Sequence, residues 1–190
     1  MWQHISFAVT KIFFILSRSR IYVDEDWAVD HRYHYVIASS HVYWFDPFMA
    51  TTALGWKRLR PLLPCRFIAA PKFLERGYLR TTMRQLGSYP SHPYEDWAYG
   101  LEASTRLLAQ NNTVVIFPEG RITRGTRPAP KHGVAVLVNQ PNVRLVPVHI
   151  TPRKSKFIPS FSITVGSPYD ASGQSAEQIM EKIYALEVKK

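Results

Sequence analysis

The chain has 190 residues, 46% of them apolar, and 24 Lys and Arg against 14 Asp and Glu, for a formal charge of +10. That length fits one domain with a real core and excludes a largely disordered chain. A single cysteine, Cys65, excludes an intrachain disulfide and a Cys-rich zinc site, and no run reaches the roughly 20 apolar residues of a membrane-spanning helix.

The first segment, Ile5 to Leu16, is the most apolar. Ile5, Ala8, Val9, Ile12, Phe13 and Leu16 share one face of a helix, with Ser6, Thr10 and Ser17 on the other side. Lys11 interrupts the run and no small-residue cleavage site follows, which argues against a cleaved signal peptide. Two readings stand for residues 1–18: a helix packed on the domain core, or an interfacial membrane anchor favoured by its Phe content and by Lys11, Arg18 and Arg20. Residues 19–190 then form the domain proper.

From there strands and helices alternate. Tyr35–Ala38 is a strand, followed by Ser39-Ser40-His41. Asp46-Pro47 opens a helix to about Leu54, as an N-cap before a first-turn proline. Phe67–Ala69 is a second strand, followed by a basic helix from about Lys72 to Leu86 that Gly87 is placed to end. A helix from about Glu95 to Ala109 carries Trp97, Leu101 and Leu108 on one side. Thr113–Phe117 is the clearest strand, bounded by Pro118-Glu119-Gly120. A helix at about Gly133–Asn139, strands around Val143–Ile150 and Phe161–Val165, and a last helix opened by the capping-box pair Ser175 and Gln178 complete the chain. The alternation predicts an α/β single domain, a mixed sheet flanked by helices, with chemistry in the loops after the strands.

Two loops carry candidate chemistry. His41 and Asp46 would lie about 140° apart on one continuous helix, so they cooperate only if the chain turns between them. A turn from strand to helix supplies this. A carboxylate there can hold one imidazole nitrogen and leave the other free to take a proton. By position alone Asp46 reads first as an N-cap, and His41 as a loop histidine among Tyr43, Trp44 and Phe45. The second loop is Phe117-Pro-Glu-Gly-Arg-Ile-Thr-Arg-Gly125. Residues 111–160 hold eight Lys and Arg against one acid, Glu119, so most of the excess charge sits here. Arg121, Arg124, Arg127 and Lys131 suit a phosphate, as does a glycine turn that exposes backbone amides. A solvated basic loop reads the same way.

In this order the elements His41-Val-Tyr-Trp-Phe-Asp46, Phe117–Gly125 and Val146-Pro147-Val148 resemble the glycerolipid acyltransferase family, over about Ala38 to Ile150. The resemblance implies His41 as general base on a glycerol hydroxyl that attacks an acyl thioester, with Asp46 orienting it. It implies glycerophosphate binding by Glu119, Gly120 and Arg121, and a site floor or acyl path at Pro147. No cofactor is implied beyond the donor, acyl-CoA or acyl carrier protein, and the favoured acceptor is 1-acyl-glycerol-3-phosphate. The amphipathic start and the basic composition, taken with this resemblance, predict a peripheral membrane protein on the cytoplasmic face, with anionic lipid and lysophospholipid as partners.

The sequence departs from the family pattern in three places. Ser40 stands where Asn usually precedes the histidine. Arg121 follows Glu-Gly directly, as in the 2-acylglycerophosphoethanolamine acyltransferase branch. The stretch Leu86–Pro93 lacks the usual phosphate-binding arginine, which leaves two readings: that role falls to Lys72, Arg76 or the cluster of Arg121, Arg124 and Lys131, or the acceptor head group is an unusual one.

Two rival readings remain. A nucleic-acid module suits the charge, but the basic cluster follows a Pro-Glu-Gly turn and no nucleic-acid motif is present, so no nucleic-acid partner is expected. A non-catalytic lipid-binding protein of the same fold would not need both His41 and Asp46. His31 and His34 have metal-like spacing without a further ligand cluster, and no metal is expected.

Overall fold

A computed structural model describes residues 2–24, 27–69, 77–90, 97–123 and 126–186. Its strands are β1 (Arg20–Val23), β2 (His34–Ser39), β3 (Cys65–Ala69), β4 (Ser88–Pro90), β5 (Thr113–Ile116), β6 (Val143–Arg153) and β7 (Ser160–Val165). They form one sheet in the order β1-β7-β6-β2-β5-β3-β4. The β6–β7 pair is antiparallel and all other neighbours are parallel, so the sheet is mixed as the sequence predicts. The helices are α1 (Trp2–Leu16), α2 (Asp46–Ala53), α3 (Trp56–Leu62), α4 (Gly77–Gln85), α5 (Trp97–Ala109), α6 (Gly133–Val138) and α7 (Ala176–Ala185).

The central strands are buried on both faces, and their alternating side chains build two cores. Tyr35 and Ile37 of β2, Val115 of β5 and Val146, Val148 and Ile150 of β6 pack with Phe14 of α1, Met49 and Ala53 of α2 and Leu59 of α3. Val36, Ala38, Val114, Ile116 and Leu145 point the other way, onto Leu108 of α5, Val134 and Leu137 of α6 and Ile179 and Ile183 of α7. The capping box that opens α7 is formed: the Ser175 Oγ accepts from the Gln178 amide at 3.3 Å, and the Gln178 Oε1 accepts from the Ser175 amide at 2.8 Å.

The structure adds three elements that the sequence pattern did not mark. β1 is a four-residue edge strand, α3 carries Pro61 in its last turn, and β4 is three residues ending in Pro90. All three are too short for a period to show. The basic helix is described only from Gly77, and Lys72, Arg76 and Arg124 lie outside the described residues.

The N-terminal helix has two different faces. Its inner side carries Thr10 and Phe14, both buried, with Phe7 and Phe13 packed against the first core. Gln3 docks like a strand residue on β3: its Oε1 accepts from the Cys65 amide at 3.1 Å and its Nε2 donates to the Cys65 carbonyl at 2.6 Å. Ile5, Val9, Ile12 and Leu16, the stripe read from the sequence, face solvent, together with Ile15. Phe13 leaves that stripe for the core, where its ring meets Phe45 edge-on at 5.2 Å. Among the described residues no helix is long and apolar enough to cross a membrane.

Gly87 ends α4 with φ of +106°, and a Cβ there would run into the Cys65 carbonyl and meet Gln3 Nε2 at 2.5 Å. Gly87→Ala is therefore expected to cost about 3 kcal/mol. The measurement is the urea midpoint, which should fall with an unchanged slope; an unchanged midpoint would show that this junction yields freely.

Candidate active site

β2 and β5 run parallel and side by side, with Ala38 opposite Ile116, so the loops that follow them leave the same edge of the sheet. The carboxyl ends of parallel strands are where a crevice and its chemistry form. His41 and Glu119 meet there although 78 residues separate them.

Ser40 closes the end of β2. Its buried hydroxyl accepts from the Ile150 amide at 2.8 Å and donates to the Ile150 carbonyl at 3.2 Å, extending the β2–β6 ladder through a side chain. The chain then turns through Val42 and Tyr43 into α2. Asp46 does not cap that helix: Phe45 occupies the cap position, and no side-chain cap bond forms. The Asp46 carboxylate reaches backward. Its Oδ2 accepts from the Val42 amide at 2.6 Å, from the Tyr43 amide at 2.8 Å, and faces His41 Nδ1 at 2.8 Å. This corrects the N-cap reading, because the turn at 42–45 presents two free amides that a buried carboxylate must answer.

Asp46 is fully buried, while the His41 side chain stays 17% exposed. Burial pushes the Asp46 carboxyl above its ordinary value, against the opposing pull of His41 and the Tyr43 and Val42 amides. His41 lies on the Phe117 ring, with centroids 4.3 Å apart and planes 26° from parallel. Stacking fixes the ring plane and the carboxylate fixes Nδ1, so Nε2 is directed away from Asp46. This arrangement can accept a proton at Nε2 and stabilise the imidazolium that results.

The second loop grips the main chain of the first. Glu119 Oε2 accepts from the His41 amide at 2.9 Å and from the Thr123 hydroxyl at 3.0 Å. The Thr123 amide donates to the His41 carbonyl at 2.8 Å, and the Thr123 hydroxyl, 3.0 Å from both that carbonyl and Glu119 Oε2, shares its one proton between them. Glu119 Oε1 accepts from the Tyr184 hydroxyl of α7 at 2.6 Å. Burial and the neighbouring carboxylate push the Tyr184 phenol up, which keeps it protonated as the donor. Arg127 lies over the Tyr184 ring, 4.6 Å from its centroid.

Glu119, expected at the glycerophosphate, is thus turned inward at 2% exposure with both oxygens bonded to protein. Gly120 and Arg121 are exposed beside it. Gly120 has φ of +66°, and its α-carbon lies under the alkyl chain of Lys131, whose Cγ would be 3.0 Å from a Cβ. Lys131 is itself tied into this loop by its amide, which donates to the Pro118 carbonyl at 2.6 Å. Pro147 is buried in β6 opposite Ala38, in the sheet behind the His41 loop. Among the described residues no His, Cys, Asp and Glu cluster could hold a metal.

Three contributors were not marked by the sequence. Thr123 lies inside the second motif, but its spacing shows no role. Phe117 reads as the end of a strand. Tyr184 sits on a distant helix with no local signal at all.

An acyltransferase family model matches residues 20–151. Among solved structures the chain is similar to the 1-acyl-sn-glycerophosphate (LPA) acyltransferase PlsC from Thermotoga maritima, with a TM-score of 0.72 and 16% identity. That match covers 97% of this chain and 78% of the other, and at this identity it is a likeness of fold. No curated protein sequence matches.

The Glu119 geometry makes a stability prediction. Glu119→Ala removes the acceptor of the His41 amide and of the Tyr184 hydroxyl and leaves Thr123 only the His41 carbonyl, at an expected cost of about 3 kcal/mol. Glu119→Gln can still turn its oxygen to His41 and its NH2 to the Tyr184 oxygen, and should cost less than about 1.5 kcal/mol. Urea unfolding of both variants checks this; equal losses would show that charge, not bonding, holds the loops.

Proposed function

The chain belongs to the acyltransferase family, and on that premise we propose that it moves a fatty acyl group from acyl-CoA or acyl carrier protein to a hydroxyl of a glycerophosphate or lysophospholipid, with 1-acyl-glycerol-3-phosphate the favoured acceptor. The observation that carries this reading is the His41–Asp46 pair, Nδ1 and Oδ2 2.8 Å apart, with the imidazole partly open and the exposed Gly120 and Arg121 following the Glu119 that holds its main chain.

In this mechanism His41 Nε2 removes the acceptor hydroxyl proton while the oxygen attacks the thioester carbonyl carbon. The tetrahedral intermediate collapses, the carbon–sulfur bond breaks, and the imidazolium returns the proton to the departing thiolate. Asp46 holds Nδ1–H and favours the imidazolium formed in between; in a desolvated site that attraction is stronger than in water. No covalent enzyme intermediate is required. The acceptor phosphate falls to Arg121 and Lys131, with Arg124 and Lys72 as further cations. Glu119 serves by holding the His41 main chain, and Pro147 belongs to the floor behind it.

The same reading makes this a peripheral membrane enzyme acting at the cytoplasmic face. Support comes from the outer face of α1, where Ile5, Val9, Ile12, Ile15 and Leu16 are exposed on a helix whose other side is packed. A bilayer interface is the solvent in which such a stripe is at low free energy.

Two outcomes test the proposal. His41→Ala should lower acyl transfer to lysophosphatidate by two or more decades without altering the circular dichroism spectrum. Full activity in that variant would exclude His41 as the base. Val9→Asp combined with Ile12→Asp should release the folded protein from anionic vesicles, read by co-sedimentation. The packed face of α1 is untouched by these changes, so the unfolding midpoint should stay in place.

A further inference from the structure

β6 and β7 are joined by a hairpin tip, residues 154–159, that stands off the body of the protein. Phe157 is 93% exposed at its end, with Ile158 40% exposed beside it and Lys154 and Lys156 exposed around it. A fully solvated phenylalanine on a loop flanked by lysines gives the chain no packing. It is suited to a surface that is apolar within and anionic at its rim.

The position of the tip argues for the same surface. Its root is stitched to the end of α1: the Arg153 guanidinium donates to the Arg18 carbonyl at 2.9 Å, and the Phe161 amide donates to the Ser19 hydroxyl at 3.1 Å. Phe161, at that root, packs on Phe13 of α1 and on Tyr43 and Phe45 of the His41 loop, at centroid distances of 6.3, 6.1 and 5.9 Å. Ile15 and Leu16, the last exposed residues of α1, therefore end where the hairpin begins. Charge agrees: no Asp or Glu occurs in residues 120–169, and Arg18 and Arg20 flank the hairpin root.

We propose that the β6–β7 hairpin tip is a second membrane contact, with Phe157 inserted among the acyl chains and Lys154 and Lys156 on the phosphates of an anionic bilayer. This rests on the reading that the outer face of α1 lies on the membrane, and goes beyond it. A helix in the interface fixes one line of contact and leaves the body free to tilt about it. A second contact, at the tip of a hairpin rooted where that helix ends, limits this freedom and sets the angle at which the His41 loop meets the lipid.

The test uses the intact chain and vesicles of phosphatidylcholine, with and without phosphatidylglycerol. Phe157→Cys is labelled with bimane, Cys65 being buried and out of reach. On mixed vesicles the label should shift to shorter wavelength. Phe157→Ser should weaken binding about tenfold, and Lys154→Ser and Lys156→Ser roughly fivefold each, an effect lost in salt. If Val9→Asp/Ile12→Asp releases the protein while Phe157→Ser binds like the parent and the label does not shift, the hairpin proposal is overturned and the α1 reading stands. If the α1 variant binds like the parent while Phe157→Ser is released, the α1 reading fails and the hairpin is the contact. A label shift with polyglutamate but not with vesicles would overturn the proposal and assign the tip to an acidic protein.

Discussion

The arrangement of this protein depends on one buried carboxylate. Glu119 lies out of water with both oxygens bonded, and an unanswered buried charge costs several kcal/mol. Its partners come from three places: the His41 amide after β2, Thr123 in its own loop and Tyr184 near the end of α7. Satisfying that single group fixes the distance between two loops and the seating of the last helix. The His41 backbone is clamped at both its N–H and its carbonyl before the side chain does any chemistry. The imidazole is then left only its own rotation to settle, and Asp46 and Phe117 settle it.

The proposed base is thus held from two sides by different means. Its main chain hangs on a motif 78 residues away, and its side chain on a carboxylate five residues away. This division explains why neither motif is meaningful alone. A His and an Asp at this spacing form a pair only when the turn between them is pinned, and the pin is the second motif. The sheet makes the meeting possible, because β2 and β5 are neighbours and run the same way.

The N-terminal helix shows a second division of labour. Its inner side is part of the core, with Gln3 standing in for a strand neighbour at Cys65. Its outer side exposes an apolar stripe that the domain has no means to cover. Core and anchor are alternatives when the helix is read as a pattern; in the folded helix one face belongs to the core and the other is left exposed, where the proposed anchor would act. The aromatic belt of Phe13, Phe45 and Phe161 joins that helix to the His41 loop, so the surface proposed to meet lipid and the site proposed to modify it are packed on one another.

Periodicity and turn chemistry were enough to find the central strands, the first-turn proline Pro47 of α2, the end of α4 at Gly87 and the capping box at Ser175, because each is a local preference of a few residues. The two motifs and their order were also legible, and with them the family. The short elements β1, α3 and β4 were not, since three to seven residues carry too little pattern. The sequence by itself determined which residue types were available for chemistry and that a turn had to bring His41 to Asp46. Only the tertiary structure decided that Asp46 reaches back into its turn, that Glu119 faces inward and that Tyr184 holds it. Those outcomes follow from which buried polar groups end up facing one another, and that depends on strand order and helix packing across the whole chain.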